Sequence, residues 1–367
     1  MKEIIYIGGF ELPDKNAAAQ RVLSNAKLLH EMGYKVTFVG ISKDMQSAPS
    51  EVEGFESCSV PYPVNTKQWI HQICTFINAE FIRERKPDYV ILYNFPAIAS
   101  LRLLKTCHKN GIKVIHDVTE WETNHGRTPS DFVRKIDINL RMRYCMKRMD
   151  GVVAISRYLY DSFKDSTLTI LVPPTVDLND GKWRRDRELT TGDKVRLVFA
   201  GGAGPHKDRL DYVIDAVSGI DNLELYIIGT TKEQYYSRFG FWPTESDNIK
   251  YLGILSHQET ISEICKSDFQ VIIRNKNTKT TAGFPTKFVE SMSCCVPVIA
   301  NPSSNIGDYL EDGKNGFLIK EISMLRETLD RVAGMEKSDI VRMKENCKLL
   351  TEFDYHYYKS EFEKIIK

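Results

Sequence analysis

The chain has 367 residues, enough for two domains each with its own core. Its 50 Lys and Arg against 49 Asp and Glu leave a formal net charge of +1, a balance that argues against a general nucleic-acid binder. No apolar run reaches the ~20 residues of a membrane-spanning helix. The opening MKEIIYIGGF has too short an apolar part for a signal peptide and reads directly as a strand. Eight cysteines show neither a CxxC pair nor Cys/His zinc spacing, which predicts buried, reduced thiols and a cytoplasmic location. The vicinal Cys294-Cys295 reads as packing at a helix-to-strand turn.

A first strand, Lys2 to Gly8, leads through a loop to a helix from Ala17 to Met32, ended by Gly33, and then to a strand from Lys35 to Gly40. This βαβ opening lacks the GxGxxG fingerprint of dinucleotide binding. A helix from Lys67 to Arg85, a strand from Tyr89 to Leu92, a helix from Ala97 to Asn110 and a strand from Lys113 to Ile115 follow. The last of these runs into His116-Asp117-Val118-Thr119-Glu120, polar groups gathered where a strand's carboxyl end would place a site. His116 is a candidate sugar or phosphate contact, or else a histidine bonded to neighbouring backbone; Asp117 and Glu120 are candidates for acceptor binding or proton handling.

Ser130 is the expected cap of a helix running to Met149, where Arg134, Lys135, Arg141, Arg143, Lys147 and Arg148 alternate with Phe132, Val133, Ile136 and Ile138. Such a helix is either a membrane-facing amphipath or a core helix with a basic, solvated back. A strand from Gly151 to Ile155, a helix to Phe163 and a strand from Leu168 to Val172 complete the first domain. Pro173-Pro174 stiffens the exit, placing domains at 1–173 and 174–350 with a terminal helix at 351–367.

The second domain opens with a strand from Val195 to Ala200 and the turn Gly201-Gly202-Ala203-Gly204-Pro205-His206-Lys207, where glycines permit close approach of backbone to a phosphate and a lysine adds a point charge. A strand from Leu223 to Ile228 comes next, and Ser256 with Glu259 forms a capping box. The run Val271 to Leu318 then reads strand, polar loop, helix, strand. Its loop carries Arg274 and Lys279, and Gly283-Phe284-Pro285-Thr286 opens a helix whose free N–H groups suit an anion. Glu290, about a turn further in, offers two oxygens to paired hydroxyls such as a ribose diol.

Ala282-Gly283-Phe284, Glu290-Ser291-Met292, Pro297-Val298-Ile299-Ala300 and Glu311-Asp312-Gly313-Lys314-Asn315-Gly316-Phe317-Leu318 together resemble the donor-binding region of family 4, or group 1, glycosyltransferases. VVAISRYLYDSF resembles the family's last unit of the first domain. The resemblance implies the GT-B fold: two Rossmann-like α/β domains facing across a cleft, the last helix crossing back onto the first domain. It implies retention of anomeric configuration. It also assigns Gly8 and Gly9, and Arg21 if that residue does not lie on a solvated helix face, to the donor phosphates. Lys207 becomes the phosphate-binding lysine, helped by Arg274 or Lys279, and Glu290 the ribose ligand. Leu252 to Leu255 line the base, and His116 faces the transferred sugar. The sequence departs from the family at Ala282, where a first glutamate is usual, and at Gly202, where an arginine is usual.

The expectation is therefore a transferase moving a sugar from a nucleotide-sugar donor to a glycan or lipid-linked acceptor, without cofactor or metal. Surface polysaccharide or another lipid-linked glycan is the implied product, and the inner face of an anionic membrane a possible station. Alternatives are an epimerase of the same fold and a non-catalytic, nucleotide-sugar-binding subunit.

Overall fold

A computed structural model describes residues 2–13, 15–77, 79–122, 126, 128–189 and 191–366. The chain divides into two compact units, Met1–Val176 with Tyr355–Lys367, and Asp177–Asp354.

The first unit carries strands β1 (Lys2–Gly8), β2 (Tyr34–Ser42), β3 (Glu51–Val52), β4 (Phe55–Pro61), β5 (Tyr89–Tyr93), β6 (Lys113–Val118), β7 (Gly151–Ala154) and β8 (Thr169–Leu171). Between them lie helices α1 (Ala17–Glu31), α2 (Thr66–Cys74), α3 (Ala79–Arg85), α4 (Ala97–Lys109), α5 (Pro129–Leu140) and α6 (Arg157–Phe163). The sheet order is β3-β4-β2-β1-β5-β6-β7-β8, parallel except for the β3–β4 hairpin. Buried β-branched runs such as Ile4-Ile5 and Val152-Val153 suit a parallel sheet covered on both faces. The order reverses at β1, so the crevice between the carboxyl ends of β1 and β5 is the natural ligand position of this unit.

The second unit carries β9 (Val195–Ala200), α7 (Leu210–Val217), β10 (Leu223–Ile228), α8 (Lys232–Phe239), β11 (Ile249–Gly253), α9 (His257–Cys265), β12 (Phe269–Ile272), α10 (Thr278–Ala282), α11 (Thr286–Ser293), β13 (Val298–Ala300), β14 (Gly316–Leu318), α12 (Leu325–Ala333) and α13 (Lys337–Lys348). Its sheet, β11-β10-β9-β12-β13-β14, is wholly parallel and reverses at β9. The closing helix α14 (Lys359–Ile365) belongs to the first unit: Tyr358, Phe362 and Ile365 are buried in the same core as Ile4, Val36 and Ile91, and Tyr355 Oη donates to Glu31 at 2.7 Å.

Several elements differ from expectation. The predicted helix 67–85 is two helices, broken between Cys74 and Ala79. The strands β3 and β4 and the helices α8 and α10 were not predicted; β3 and α10 are five residues or shorter, below the length at which periodicity is readable. Helix α5 is capped by Thr128, not Ser130: Thr128 and Asp131 form the reciprocal box, with Pro129 in the first turn. The expected helix to Met149 continues from α5 as a π-helical turn, Arg141–Cys145, and a short 3-10 turn, Met146–Arg148. The strand that follows the helix in the run Val271 to Leu318 begins only at Val298, because Cys295 turns the chain with a left-handed φ of 55° and Pro297 has no N–H to donate. All eight thiols are free, six of them buried.

Candidate functional site

In the second unit the site grows from the turn after β9. Gly201 has φ +113°, and a Cβ there would stand 3.2 Å from Lys287 Nζ, so only glycine suits both the backbone and the space. Thr230 fixes the turn, accepting from Ala203 N–H at 3.1 Å and donating to the Gly201 carbonyl at 3.3 Å. The next residues are laced to the loop after β12. Arg209 N–H donates to the Ile273 carbonyl at 2.8 Å, Asn275 N–H to the Lys207 carbonyl at 3.2 Å, and Asn277 Nδ2 to the His206 carbonyl at 3.1 Å. Asn301, just beyond β13, clasps the backbone of Arg274 by accepting from its N–H and donating to its carbonyl, each at 2.8 Å. The two loops flanking the strand-order reversal are thereby one rigid piece.

That piece gathers charge. Asp208 is buried and faces Arg274 Nε at 3.2 Å, a contact not aligned as a hydrogen bond, and Lys287 Nζ at 3.3 Å. Burial alone would raise the Asp208 carboxyl, but Lys287, Arg274 and Lys207 together hold it below the usual carboxylate range. Lys207 remains exposed as a residue, yet loss of hydration around its ammonium, then the like charges of Arg274, Lys287 and Lys279, push it below the ordinary lysine value against the pull of Asp208. Burial lowers Arg274 as well. Three cations thus surround one carboxylate at the carboxyl edge of β9 and β12, with Lys279 near Lys207, an excess of positive charge matched to a pyrophosphate.

Helix α11 carries both Lys287 and, three residues on, Glu290. Glu290 is half-buried, and its Oε1 lies 3.1 Å from Nε2 of His257, the first residue of α9 behind the Ser256–Glu259 capping box. Pro285 is the N-cap residue of α11, Phe284 is buried against Phe288, Tyr309 and Phe353, and Gly283 and Thr286 are partly exposed at the helix entrance. Leu252 and Leu255 are half-buried at the end of β11, and Ile254 between them is 71% exposed, an apolar ledge beside α9. Ala282 is fully buried in α10 and presents no polar group. At Gly202 the guanidinium of Arg238, from α8, comes within 3.6 Å of where a Cβ would stand and donates to the Ala203 carbonyl at 3.0 Å.

Lys287, Asp208, His257 and Arg238 were not singled out from the sequence. Lys287 had a signal, since it follows Thr286 at the entrance of the predicted helix. His257 had only its place beside the Ser256 cap, and Arg238 lies in a helix that periodicity did not reveal.

The first unit buries three of the candidate residues, Arg21, Asp117 and His116. Arg21 does not lie on a solvated helix face. It is buried, with Nε 3.0 Å and Nη2 2.8 Å from Asp117, and its Nη1 donates to the Val172 and Pro173 carbonyls at 3.0 Å. Asp117 is equally buried and accepts also from Tyr6 Oη at 2.5 Å, with Asn25 Nδ2 at 3.4 Å. Burial and Asp117 push the Tyr6 phenol well above its ordinary value. His116, expected to face a sugar, is 0% exposed; burial and then the Arg141 guanidinium pull it down to about 3, so its imidazole is neutral. Hydrogen bonding to the Phe95 and Asp117 backbone pulls the other way, as for a histidine bonded to neighbouring backbone. Glu120 is half-buried beyond β6. Gly8 abuts β5 so closely that a Cβ would meet the Tyr93 carbonyl at 2.5 Å, whereas Gly9 opens on free space.

Residues 18–180 match Glycosyltransferase Family 4 and residues 194–334 match Glycosyl transferases group 1. An uncharacterised glycosyltransferase of Methanocaldococcus jannaschii is 25% identical over 58% of this chain and 56% of its own; the chain spans about half the length of the curated relatives it matches. Among solved structures, HepE of Anabaena in complex with UDP and glucose is similar with a TM-score of 0.68 at 14% identity, covering 99% of this chain and 98% of that one. Sucrose-phosphate synthase of Thermosynechococcus elongatus is similar with a TM-score of 0.73 at 11% identity, covering 100% and 98%. These structural likenesses establish the GT-B fold. With one unit matched by each family description, the chain belongs to the group 1, family 4 glycosyltransferases.

Proposed function

We propose that the protein transfers a sugar from a nucleotide-sugar donor to an acceptor hydroxyl with retention of configuration and without a metal, in the assembly of a surface polysaccharide or another lipid-linked glycan. The observation that carries this reading is the pairing on α11 of Lys287, inside the basic cluster, with Glu290, three residues on. A nucleoside diphosphate needs cations for its phosphates and a hydrogen-bonding acid for its ribose, and one helix supplies both. Glycosyl transfer through an oxocarbenium-like state builds negative charge on the departing phosphate. Lys207, Arg274 and Lys287, with the N–H groups at the start of α11, are fixed donors for that charge. The similar HepE structures hold UDP with glucose, UDP alone and UDP-glucose, which favours a uridine nucleotide as first donor to test.

Helix α5 supports a station at an anionic membrane surface. Phe132 (65% exposed), Val133 and Ile136 stand outside the core beside exposed Arg134 and Lys135, an arrangement suited to shallow insertion with headgroup attraction. No helix among the described residues is long and apolar enough to cross a membrane. A second reading, a nucleotide-sugar-binding subunit without turnover, draws on Ala282, which offers the donor sugar no polar group.

The deciding experiment is a thermal-shift panel of nucleotide sugars followed by product analysis with the best binder. Saturating donor raises apparent stability by ~2.7 kcal/mol at a hundredfold over its dissociation constant. Transfer or slow hydrolysis with the anomeric configuration kept supports the transferase; an epimer formed from donor alone, or binding without any turnover across acceptors, replaces it with an alternative reading.

A further inference from the structure

The second unit carries another surface with the features of a site, one that neither its core nor the basic cluster uses. Between α7 and α12 opens a cleft of about 590 Å3, lined by Tyr212, Asp215, Ile322, Ser323, Leu325 and Arg326. Its volume is that of a small-ligand pocket. Ile322 and Leu325 supply an apolar floor, and the exposed rim carries the Tyr212 ring, the Asp215 carboxylate and the Ser323 hydroxyl.

Two exposed rings extend this face. Tyr236 in α8 and Trp242 just beyond it are 45% and 58% exposed, and their rings stack with centroids 4.7 Å apart and planes 24° from parallel. Tyr235, not Tyr236, is the buried residue of α8, so the helix is anchored without the exposed pair. Thr244, two residues after Trp242, donates to Asp215 Oδ1 at 3.0 Å and so ties the ring pair to the rim of the cleft. At the other end, the Arg209 guanidinium lies 3.6 Å from the centre of the Tyr212 ring and donates to Asn275 Oδ1 at 3.1 Å, so the face begins where the donor loops end. Exposed apolar surface rimmed by polar groups marks a place of interaction.

Charge decides which partner fits. The cations along this face are already answered: Arg209 by Asp211, Arg326 by the Ser218 carbonyl at 2.7 Å and by Asp330 at 3.4 Å, and Lys232 by Glu245 at 2.7 Å. Such pairing leaves little to attract a phosphate, an anionic lipid surface or a nucleic acid. A suitable ligand instead lays apolar faces on spaced rings and offers hydroxyls to Asp215 and Ser323 between them. A chain of sugars does both, because each ring has a C–H face for an aromatic partner and hydroxyls that donate and accept. We infer that this face binds a neutral glycan chain, outside the donor site. That the chain is the enzyme's own acceptor or product rests on the transferase reading; the binding itself does not.

The four tryptophans of the chain allow a direct test. Full-length protein labelled with fluorotryptophan is titrated, without donor, with maltohexaose, cellohexaose, chitohexaose, glucose and dextran sulfate. The Trp242 fluorine resonance is identified by its loss in Trp242→Phe. The expected result is a saturable Trp242 shift with at least one hexasaccharide, kept at high salt and about tenfold or more weaker with glucose, which can cover only one ring. Tyr212→Ser and Tyr236→Ser each weaken the response about tenfold while the urea midpoint and the UDP dissociation constant stay unchanged. No shift with any hexasaccharide, an equal response to glucose, or a stronger response to dextran sulfate that salt removes overturns the glycan surface. A Trp242 shift that follows protein concentration instead, with dimers in the ultracentrifuge, assigns the face to a second copy of the chain and overturns it too. UDP binding at Glu290 is measured separately, so failure here is distinct from failure of the transferase reading.

Discussion

Nε2 of His257 lies 3.1 Å from Oε1 of Glu290, joining the first residue of α9 to the second turn of α11. The contact occupies one carboxylate oxygen and leaves the acid half-buried, oriented before any ligand arrives. A ribose that meets it need not restrain a mobile side chain, and the hydroxyls find an acceptor already placed.

Hydrogen bonds to a charged group contribute ~1.5–3 kcal/mol. Glu290→Ala is therefore expected to weaken UDP or GDP binding by roughly ten- to a hundredfold. His257→Ala, which frees the carboxylate without removing it, should weaken binding by about tenfold or less. Calorimetric titration with both nucleotides checks this, and an unchanged dissociation constant in Glu290→Ala ends the ribose assignment.

On the proposed reading Lys287 and Lys207 serve the phosphates and not the nucleoside. Lys287→Ala should weaken UDP by roughly tenfold or more while uridine binding stays within about twofold. Lys207→Ala should lower turnover more than it weakens uridine. Comparing uridine, UDP and turnover in each variant separates the two roles; equal losses on uridine and UDP would contradict a phosphate contact.

Arg21 and Asp117 predict a stability phenotype. Removing one partner of a buried, hydrogen-bonded pair costs about 3–5 kcal/mol, so Arg21→Ala should lower the urea midpoint sharply. The folded fraction should bind UDP with an unchanged constant. A large loss of nucleotide affinity with the urea midpoint preserved would restore Arg21 to the donor site.

His116 sets an acid limit. Its folded value of about 3 lies below the ordinary histidine value near 6.5, so the unfolded chain takes up the proton first. Stability from this group is complete above pH 6.5 and declines as pH falls toward 3, by up to about 1.4 kcal/mol per pH unit. Urea denaturation at pH 6.5 and 4.5 should show this decline, and His116→Gln should flatten it. An equal decline in the variant would assign the acid sensitivity elsewhere.

Much of the second unit was legible in the chain itself. Glycines at 201, 202 and 204 before Lys207, a helix opening at Thr286 and an acid one turn in are local patterns, and local patterns survive folding because neighbours in sequence stay neighbours in space. The opposite holds for Arg21. Its place one turn into α1 suggests a ligand or solvent, and only the sheet order, which sets β1 beside β5 and β5 beside β6, brings Asp117 under it from 96 residues away. His116 shows the same limit: its position at a strand end was readable, but not that the ring is sealed beside Arg141.

By itself, the sequence determined the alternation of strands and helices and the turns that carry Lys207 and Glu290, since these depend on periodicity, turn chemistry and spacing. Tertiary structure alone decided which charges pair. Lys287 joins Asp208, His257 joins Glu290, Arg21 joins Asp117, and Arg141 joins no carboxylate among the described residues. The energy of a buried charge depends on what stands within a few ångströms of it, and that is a property of the packed chain, invisible along its length.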